Sequence, residues 1–254
     1  MCLIVFALNH HKDYKLIFAA NRDEFYNRPS SPAEFWDNYP FLLAGRDLKE
    51  GGTWMGVTKQ GTFAAITNYR DLRNLKLNAP SRGYIVKDFL VNEYSIERFS
   101  ENLIDNGSSY NGFNLLYGNV DRLFYFSNYN NADKKIESGI HGLSNDLLDT
   151  PWFKVEKSKN EFEQVINKNN FSFEDIFKIL SDTTLSPDEQ LPDTGLDYER
   201  EKIISSIFIK TEEYGTRCST IVTVDKNNFV NFIERTFNKD SKDFSEVTLS
   251  FQVE

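Results

Sequence analysis

The chain begins MCLIVFALNHHKDYKLIFAA (residues 1–20), in which two short apolar runs flank a polar connector. The runs at 2–8 and 15–20 have the length and residue types of buried strands, and residues 9–13 (NHHKD) have those of a turn. No basic segment precedes the first run, as one would in a secretory signal peptide. The pattern therefore predicts that the fold opens with a β-hairpin.

Strand and helix patterns form separate blocks along the rest of the chain. Short β-rich runs lie at 53–58, 62–67, 113–118, 122–127, 203–209, 218–224, 229–235 and 246–252. Apolar residues spaced three or four apart predict helices at 151–168 and 173–181. Two shorter helices precede them, with apolar faces made of Ile85, Phe89 and Leu90 and of Ile96, Phe99 and Leu103. The segments 21–37 and 186–198, each with two prolines, are predicted to be long loops.

This order of elements indicates the fold class. Runs of strands, then helices, then strands again are typical of an α+β fold with mostly antiparallel sheets, and not of a parallel βαβ array. A four-layer αββα sandwich fits the pattern. No internal repeat or low-complexity linker divides the chain, so we expect one domain over 1–254.

Composition restricts the classes of partner. The 22 Phe and 12 Tyr residues supply the apolar area for a sizeable core. A formal net charge of -9 repels nucleic acid and anionic lipid, and no apolar run approaches the roughly 20 residues of a membrane span. Two cysteines cannot make a disulfide framework, so we expect a cytoplasmic protein. Oligomeric state is not indicated.

Cys2 is the first candidate for chemistry. Loss of Met1 would leave a thiol beside a free α-amine, which titrates near pH ~8 and can take the thiol proton. One residue would then supply both nucleophile and base. Alternatively, Cys2 is a small apolar residue at the edge of a strand, which is the commoner role of cysteine in such a run.

The segment Asn21-Arg22-Asp23-Glu24 follows the second run of the hairpin and so lies near the start of the first run. An arginine there can lower the pKa of a neighbouring thiol, and a carboxylate can hold the α-amine. The alternative is a solvated loop with a surface ion pair, which contributes little stability.

Three further polar residues stand where predicted strands begin or end: Asn68, Asn145 and Arg217. An asparagine amide at a strand terminus can donate to the oxyanion that forms during acyl transfer. Asparagines at such positions more often make turns through hydrogen bonds to their own backbone.

Cofactor and metal signals are poor. The chain has no G-x-G-x-x-G, G-x-x-x-x-G-K-[ST], G-x-S-x-G or H-E-x-x-H motif. Its three histidines are His10, His11 and His141, of which two lie in the predicted turn, so we expect neither a metal nor a cofactor. We interpret Gly51-Gly52 as a tight entry to a strand, not as a phosphate cradle.

Several segments in fixed order resemble one family. They are MCLIVF at the start, LIFAANRDEFYNRPSSPAEFW (16–36), LLAGRDLKEGGTWMGVTKQGTFAAITNYRD (42–71), PSRGYIVKDFL (80–90), FNLLYGN (113–119) and GLSNDLLDTPWFKVEK (142–157). Together they resemble the NRDE-motif family, also called the transport and Golgi organisation protein 2 family. That family is similar to the N-terminal-nucleophile hydrolases, especially the choloylglycine hydrolase and penicillin V acylase branch.

The resemblance implies a site. Cys2 matches that branch's nucleophile, Arg22 and Asp23 match its arginine and aspartate beyond the second strand, and Asn68 matches the asparagine of its later hairpin. Asn145 and Arg217 are similar to its second asparagine and its late arginine. The branch separates its arginine and aspartate by two residues, whereas Arg22 and Asp23 are adjacent, so Glu24 can equally supply the carboxylate.

Two functions follow. One is a cysteine hydrolase in which Cys2 attacks the C–N bond of a linear, non-peptide amide. In that role Asn68 and Asn145 would bind the oxyanion, Asp23 would orient the amine, and Arg22 and Arg217 would stabilise the thiolate or bind a substrate carboxylate. The alternative is a non-enzymatic carrier of a hydrophobic ligand, such as haem or an acyl lipid, because a fold does not fix a function. A purely structural protein ranks last.

Overall fold

The predicted opening hairpin is present in the computed structural model, which describes residues 3–168, 170–239 and 243–254. Strand β1 (Leu3–Leu8) pairs antiparallel with β2 (Tyr14–Phe25), with Leu8 opposite Leu16. Asn9 starts the turn with a φ of 48°, a backbone region that asparagine tolerates better than most residues. Cys2 lies outside the described residues.

Both faces of β1 are buried, which explains its uninterrupted apolar sequence. Ile4, Phe6 and Leu8 face a core between two sheets, and Leu3, Val5 and Ala7 face helices on the other side. The inner core draws residues from Ile4 to Val253. That the chain forms a single domain over 1–254 stays a prediction.

The strands of the described residues form two sheets, and all of their named pairs are antiparallel. The remaining strands are β3 (Ser30–Trp36), β4 (Tyr39–Asp47), β5 (Met55–Thr58), β6 (Thr62–Asn68), β7 (Phe113–Asn119), β8 (Arg122–Ser127), β9 (Ala132–Lys135), β10 (Gly139–Leu143), β11 (Tyr214–Asp225), β12 (Phe229–Phe237) and β13 (Phe244–Gln252). The first sheet has the order β10-β1-β2-β11-β12-β13, and the second runs from β3 to β9 in chain order.

Helices cover the outer face of each sheet. They are α1 (Gly83–Val91), α2 (Ile96–Asn106), α3 (Phe153–Ile166), α4 (Phe173–Leu180) and the short α5 (Tyr198–Ile203). Helices α1 and α2 pack on the second sheet, and α3 and α4 pack on the first. The predicted α+β class and four-layer αββα sandwich are therefore confirmed.

Two local predictions are wrong. The 21–37 segment is not a loop, because β2 continues through Phe25 by pairing with the extended β11, and β3 follows at Ser30. Residues 203–209 do not form a strand. Ile203 ends α5, and Ser205 and Ser206 then donate side-chain hydrogen bonds to nearby carbonyls, which stabilises an irregular turn.

Candidate active site

A polar cavity of ≈ 380 Å³ lies at the end of β2, near the point where β1 begins. Its walls come from the end of β2, the connection between β4 and β5, the end of β6 and the start of α1. Three of the predicted site residues line it: Arg22, Asp23 and Asn68. The fold therefore gathers residues that are far apart in the sequence, and the cavity has the size of a small-molecule site.

Strand pairing places the two charged residues of β2. Leu3 stands opposite Asn21, Arg22 opposite Cys218 and Asp23 opposite Thr216. The register shifts between Thr216 and Cys218, so Arg217 is the extra residue of a bulge. Bulges re-aim side chains, and this one lies beside the cavity.

Arg22 is buried but incompletely paired. Only 5% of its surface is exposed, and its guanidinium carbon lies 4.4 Å from the centre of the Trp54 ring. Nη2 is 4.0 Å from Glu24 Oε2, and Nη1 has no hydrogen-bond partner among the described residues. Burying a charge without partners is costly, so Arg22 offers donors to an anionic or polar ligand.

The adjacent carboxylates differ in their surroundings. Asp23 is buried, and its Oδ1 accepts a 2.6 Å hydrogen bond from Thr216 Oγ1. Glu24 is half-buried, with Oε2 3.8 Å from Arg28 Nε and Oε1 accepting from the Phe25 amide. Arg28 in turn contacts Asp47 at 2.7 Å through both Nε and Nη2. Asp23 therefore belongs to the strand scaffold, and Glu24 to an ion-pair array at the cavity rim.

The two predicted asparagines are in contact but are not equivalent. Asn68 is the last residue of β6, is exposed and lines the cavity. Asn145 is buried behind it and is not among the lining residues, and its Nδ2 donates to the Asn68 carbonyl oxygen at 2.9 Å. Asn68 alone of the two faces the cavity.

Arg217 lies within β11, not before its first residue as predicted. Its Nη1 donates to the carbonyl oxygens of Phe25, Tyr26 and Arg28 at 3.0, 3.2 and 3.1 Å. Burial, and next the charge of Arg22, lower the pKa of its guanidinium. Arg217 fixes the β2–β3 turn and is not among the residues that line the cavity.

Two buried titratable side chains, Cys218 and Glu234, lie next to Arg22. Burial, and next Glu234, raise the pKa of the Cys218 thiol. Burial also raises the pKa of Glu234, although its carboxyl accepts from the Ala33 amide at 2.8 Å and from Thr220 Oγ1 at 3.1 Å. Cys218 is therefore an unreactive thiol.

A family model described as "Transport and Golgi organisation 2" matches residues 1–239. The chain belongs to the transport and Golgi organisation 2 family. The mouse "Transport and Golgi organization 2 homolog" is 33% identical over 276 residues and is covered completely, as is this chain. The bovine homologue is 35% identical over 256 residues, which cover 92% of each chain.

Solved structures share the fold of this family member. A single-residue variant of conjugated bile acid hydrolase from Clostridium perfringens superposes with a TM-score of 0.51 at 9% identity, covering 98% of this chain and 96% of that one. The Caenorhabditis elegans N-acylethanolamine-hydrolyzing acid amidase ortholog gives a TM-score of 0.50, also at 9% identity, and the match covers 87% of this chain and 92% of that one. The expected N-terminal-nucleophile hydrolase fold is thereby confirmed.

Gly83 of the PSRG segment lines the cavity in this family member, and Gly52 of the GGTWMGV segment packs against it. A Cβ on Gly52 would lie 2.6 Å from the Gly83 carbonyl carbon, so only glycine allows this close approach. The Thr53 amide donates to the Gly83 oxygen at 3.2 Å, and the strand itself begins only at Met55. The pair therefore lies in the connection that leads into β5, where Gly52 packs against the start of α1.

Three residues at or behind the cavity were not predicted from the sequence. Trp54 and Arg82 line the cavity, and Arg70 contacts Asn145 behind it. All three lie in segments quoted for the family resemblance, which was the signal that could have found them.

Among the described residues, no three His, Cys, Asp or Glu side chains are grouped to hold a metal ion. No helix in the described part of the chain is long and apolar enough to cross a membrane.

Proposed function

We propose that this protein is an amide hydrolase whose nucleophile is the Cys2 thiol. The observation that carries the proposal is the polar cavity beside the start of β1, with the buried Arg22 and Asp23 in its wall. Leu3, the residue that follows Cys2 in the sequence, pairs with Asn21, which directly precedes Arg22 and Asp23. A linear, non-peptide amide is the substrate class.

The nucleophile requires removal of Met1. The freed α-amine of Cys2 takes the proton of its own thiol, so that one residue supplies nucleophile and base. Arg22 stabilises the thiolate because its Nη1 donor has no partner among the described residues. Asp23 is the better placed carboxylate to hold the resulting ammonium, because Glu24 is already close to Arg22 and Arg28.

Hydrolysis then takes two acyl-transfer steps. The sulfur attacks the carbonyl carbon, the ammonium returns the proton to the departing amine, and a thioester remains on Cys2. Water attacks this thioester while the α-amine accepts its proton, and the carboxylic acid and the free thiol are released. Asn68, at the cavity wall, donates to the oxyanion in both steps.

The remaining predicted residues support this site from behind. Asn145 holds the backbone of Asn68 through the bond from Nδ2. Arg217 fixes the turn that follows Arg22 and Asp23, through three backbone carbonyls. We assign both a positioning role in place of the direct contact that the family resemblance implied.

The lining of the cavity favours a small polar amide over a hydrophobic ligand. Arginine, aspartate, glutamate, asparagine and serine side chains dominate its wall, with Trp54 and Ile66 among its few large apolar residues. An apolar chain or a haem ring placed there would desolvate these charges without pairing them. The carrier function is therefore the alternative outcome of the test.

The test is a screen of short N-acyl p-nitroanilides and N-acyl amino acids with the wild type, Cys2→Ala and Cys218→Ala. We expect turnover by the wild type, turnover within twofold of it for Cys218→Ala, and none for Cys2→Ala. Activity that survives in Cys2→Ala would contradict the proposal. A wild type that binds a hydrophobic ligand but cleaves no amide would support the carrier instead.

A further inference from the structure

A polar cluster, buried except at Asn68, adjoins the cavity at that residue. It joins the residues after β6, the loop after β10, and α5 with the segment before it, and its members are Asn68, Arg70, Asn145, Thr194 and Glu201. Nothing in the proposed chemistry uses Arg70 or Glu201. Buried ion pairs are not an efficient source of stability, so the cluster calls for another explanation.

Arg70 donates two hydrogen bonds to Asn145. Its Nη2 donates to Asn145 Oδ1 at 2.8 Å, and its backbone amide donates to the Asn145 carbonyl oxygen at 2.8 Å. Asn145 Nδ2 donates to the Asn68 carbonyl oxygen at 2.9 Å. Asn145, which is 2% exposed, is thus clamped between residues 68 and 70.

The chemistry of these groups sets the amide orientation of Asn145. A guanidinium can only donate, so the oxygen of the Asn145 amide must face Arg70. A backbone carbonyl can only accept, so the nitrogen must face Asn68. With no donor at position 70, the Asn145 oxygen would lose its partner, and the Asn68 carbonyl alone would hold the orientation of the amide.

Arg70 is itself held in place. Its Nη1 lies 3.0 Å from Glu201 Oε2, and its guanidinium carbon lies 5.4 Å from the centre of the Trp152 ring. The other oxygen of Glu201 accepts from the amide and hydroxyl of Thr194. Each oxygen of the buried Glu201 carboxylate therefore has a donor. The contacts with Glu201 and Trp152 fix the orientation of the Arg70 guanidinium.

We propose that Arg70, oriented by Glu201, is a positioning residue that acts through Asn145 to hold Asn68 in the geometry that binds the oxyanion. This inference rests on the proposed hydrolase function. A displacement of about 1 Å in a catalytic group can cost about 100-fold in rate, so a cluster that acts only through Asn68 can control acylation. A substitution in this cluster should leave the rate of alkylation of the thiol unchanged.

The test compares two reactions of Cys2. Acylation by p-nitrophenyl acetate passes through an oxyanion, and its rate is read from the p-nitrophenolate burst after subtraction of the Cys2→Ala background. In alkylation by iodoacetamide, the Cys2 thiolate attacks a saturated carbon, and no oxyanion forms. The ratio of the two rates therefore reports oxyanion binding without knowledge of the natural substrate.

We expect Arg70→Met to lower this ratio about 10- to 100-fold with alkylation within twofold of the wild type. Asn145→Ala should lower it equally, and the double variant should fall no further, because both changes break the same contact chain. Arg70→Lys should recover part of the loss. The control is Arg73→Met, an exposed arginine on the same connection that pairs with Asp193. An unchanged ratio in Arg70→Met, or additive losses in the double variant, would overturn the proposal.

A second readout separates this inference from the proposed function. If the wild type shows no burst, the hydrolase proposal fails, and the orientation of Asn145 is then followed by hydrogen exchange of its side-chain amide in protein labelled with ¹⁵N-asparagine. We expect exchange at least about 10-fold faster in Arg70→Met and unchanged in Arg73→Met, since the ordering donor is lost. Equal protection in all three proteins would refute the role of Arg70.

Discussion

Arg22 and Arg217 lie close together at the β2–β11 bulge, yet their guanidinium groups have opposite surroundings. Arg217 Nη1 donates to three backbone carbonyls, none of which carries a charge. Arg22 lies over Trp54 in the cavity wall, with its Nη1 unpartnered among the described residues. One arginine completes a turn, and the other is held ready for a ligand.

The surroundings of the two guanidinium groups indicate which arginine is available to a ligand. Arg22 is the more buried of the two, with 5% of its surface exposed, whereas Arg217 is half-buried. Their hydrogen bonds also differ, because a guanidinium that donates to backbone carbonyls stabilises its own surroundings, whereas a buried donor without a partner in a cavity favours an anion such as a thiolate. The following variants test this distinction, starting with the largest expected effect.

Arg22→Met should have the largest effect on Cys2. An adjacent arginine lowers the pKa of an anionic group by about 1 to 3 units, so its loss should slow alkylation of Cys2 at pH 6 by about 10-fold or more. Methionine keeps an apolar contact to Trp54, so we expect little change in urea unfolding. Alkylation as fast as in the wild type would contradict the claim that Arg22, unlike Arg217, stabilises the thiolate.

Arg217→Met should show the reverse pattern. Loss of hydrogen bonds from a charged donor to three carbonyls should lower the free energy of unfolding by about 1.5–3 kcal/mol, measured in urea. Alkylation of Cys2 should stay within about threefold of the wild type, since Nη1 of Arg217 is directed to the carbonyls of the turn and Arg217 does not line the cavity. Slower alkylation with unchanged stability would mean that Arg217 also faces the thiol.

Glu234→Gln tests the buried side chains next to Arg22 and should have the smallest effect. Because burial raises the pKa of Glu234 in the folded protein, the proton is bound more tightly there than in the unfolded chain. This tighter binding of the proton stabilises the folded protein below the ordinary glutamate pKa. The stabilisation is lost as the pH rises through the raised pKa of Glu234. The variant should therefore gain stability relative to the wild type between pH 4.5 and pH 8.

Urea unfolding at both pH values measures this change, with the exposed Glu213→Gln as control. A difference between wild type and Glu234→Gln that stays constant with pH would show that Glu234 keeps its ordinary pKa. Arg22 would then have a buried charged partner, and its availability to the thiol would be reduced.

Much of the fold follows from local pattern. The hairpin of β1 and β2, the four helices that cover the sheets, and the αββα layering are predicted because each rests on apolar spacing within one segment. Residues 203–209 show the limit, since a β-branched run became a turn once its serines bonded to the backbone. Strand β2 shows the same limit, because Asn21 to Phe25 look like a loop until β11 pairs with them.

The candidate site was predictable only as a set of residue types. The structure brings Arg22, Asp23 and Asn68 to one cavity, a prediction that depended on the family resemblance. The positions of Asn145 and Arg217 behind it depend on which hydrogen bonds each side chain makes across chain separations of 77 to 192 residues. Arg70 was missed for the same reason, because its partners Asn145 and Glu201 come from distant loops.

The most direct test of the N-terminal nucleophile is intact-mass spectrometry of the purified protein, before and after limiting iodoacetamide at pH 6, with peptide mapping of the label. We predict a mass that lacks Met1 and labelling of Cys2 well before Cys218, whose buried thiol has a raised pKa. Retention of Met1, or labelling of Cys2 no faster than an ordinary thiol, would contradict the account and direct attention to ligand binding.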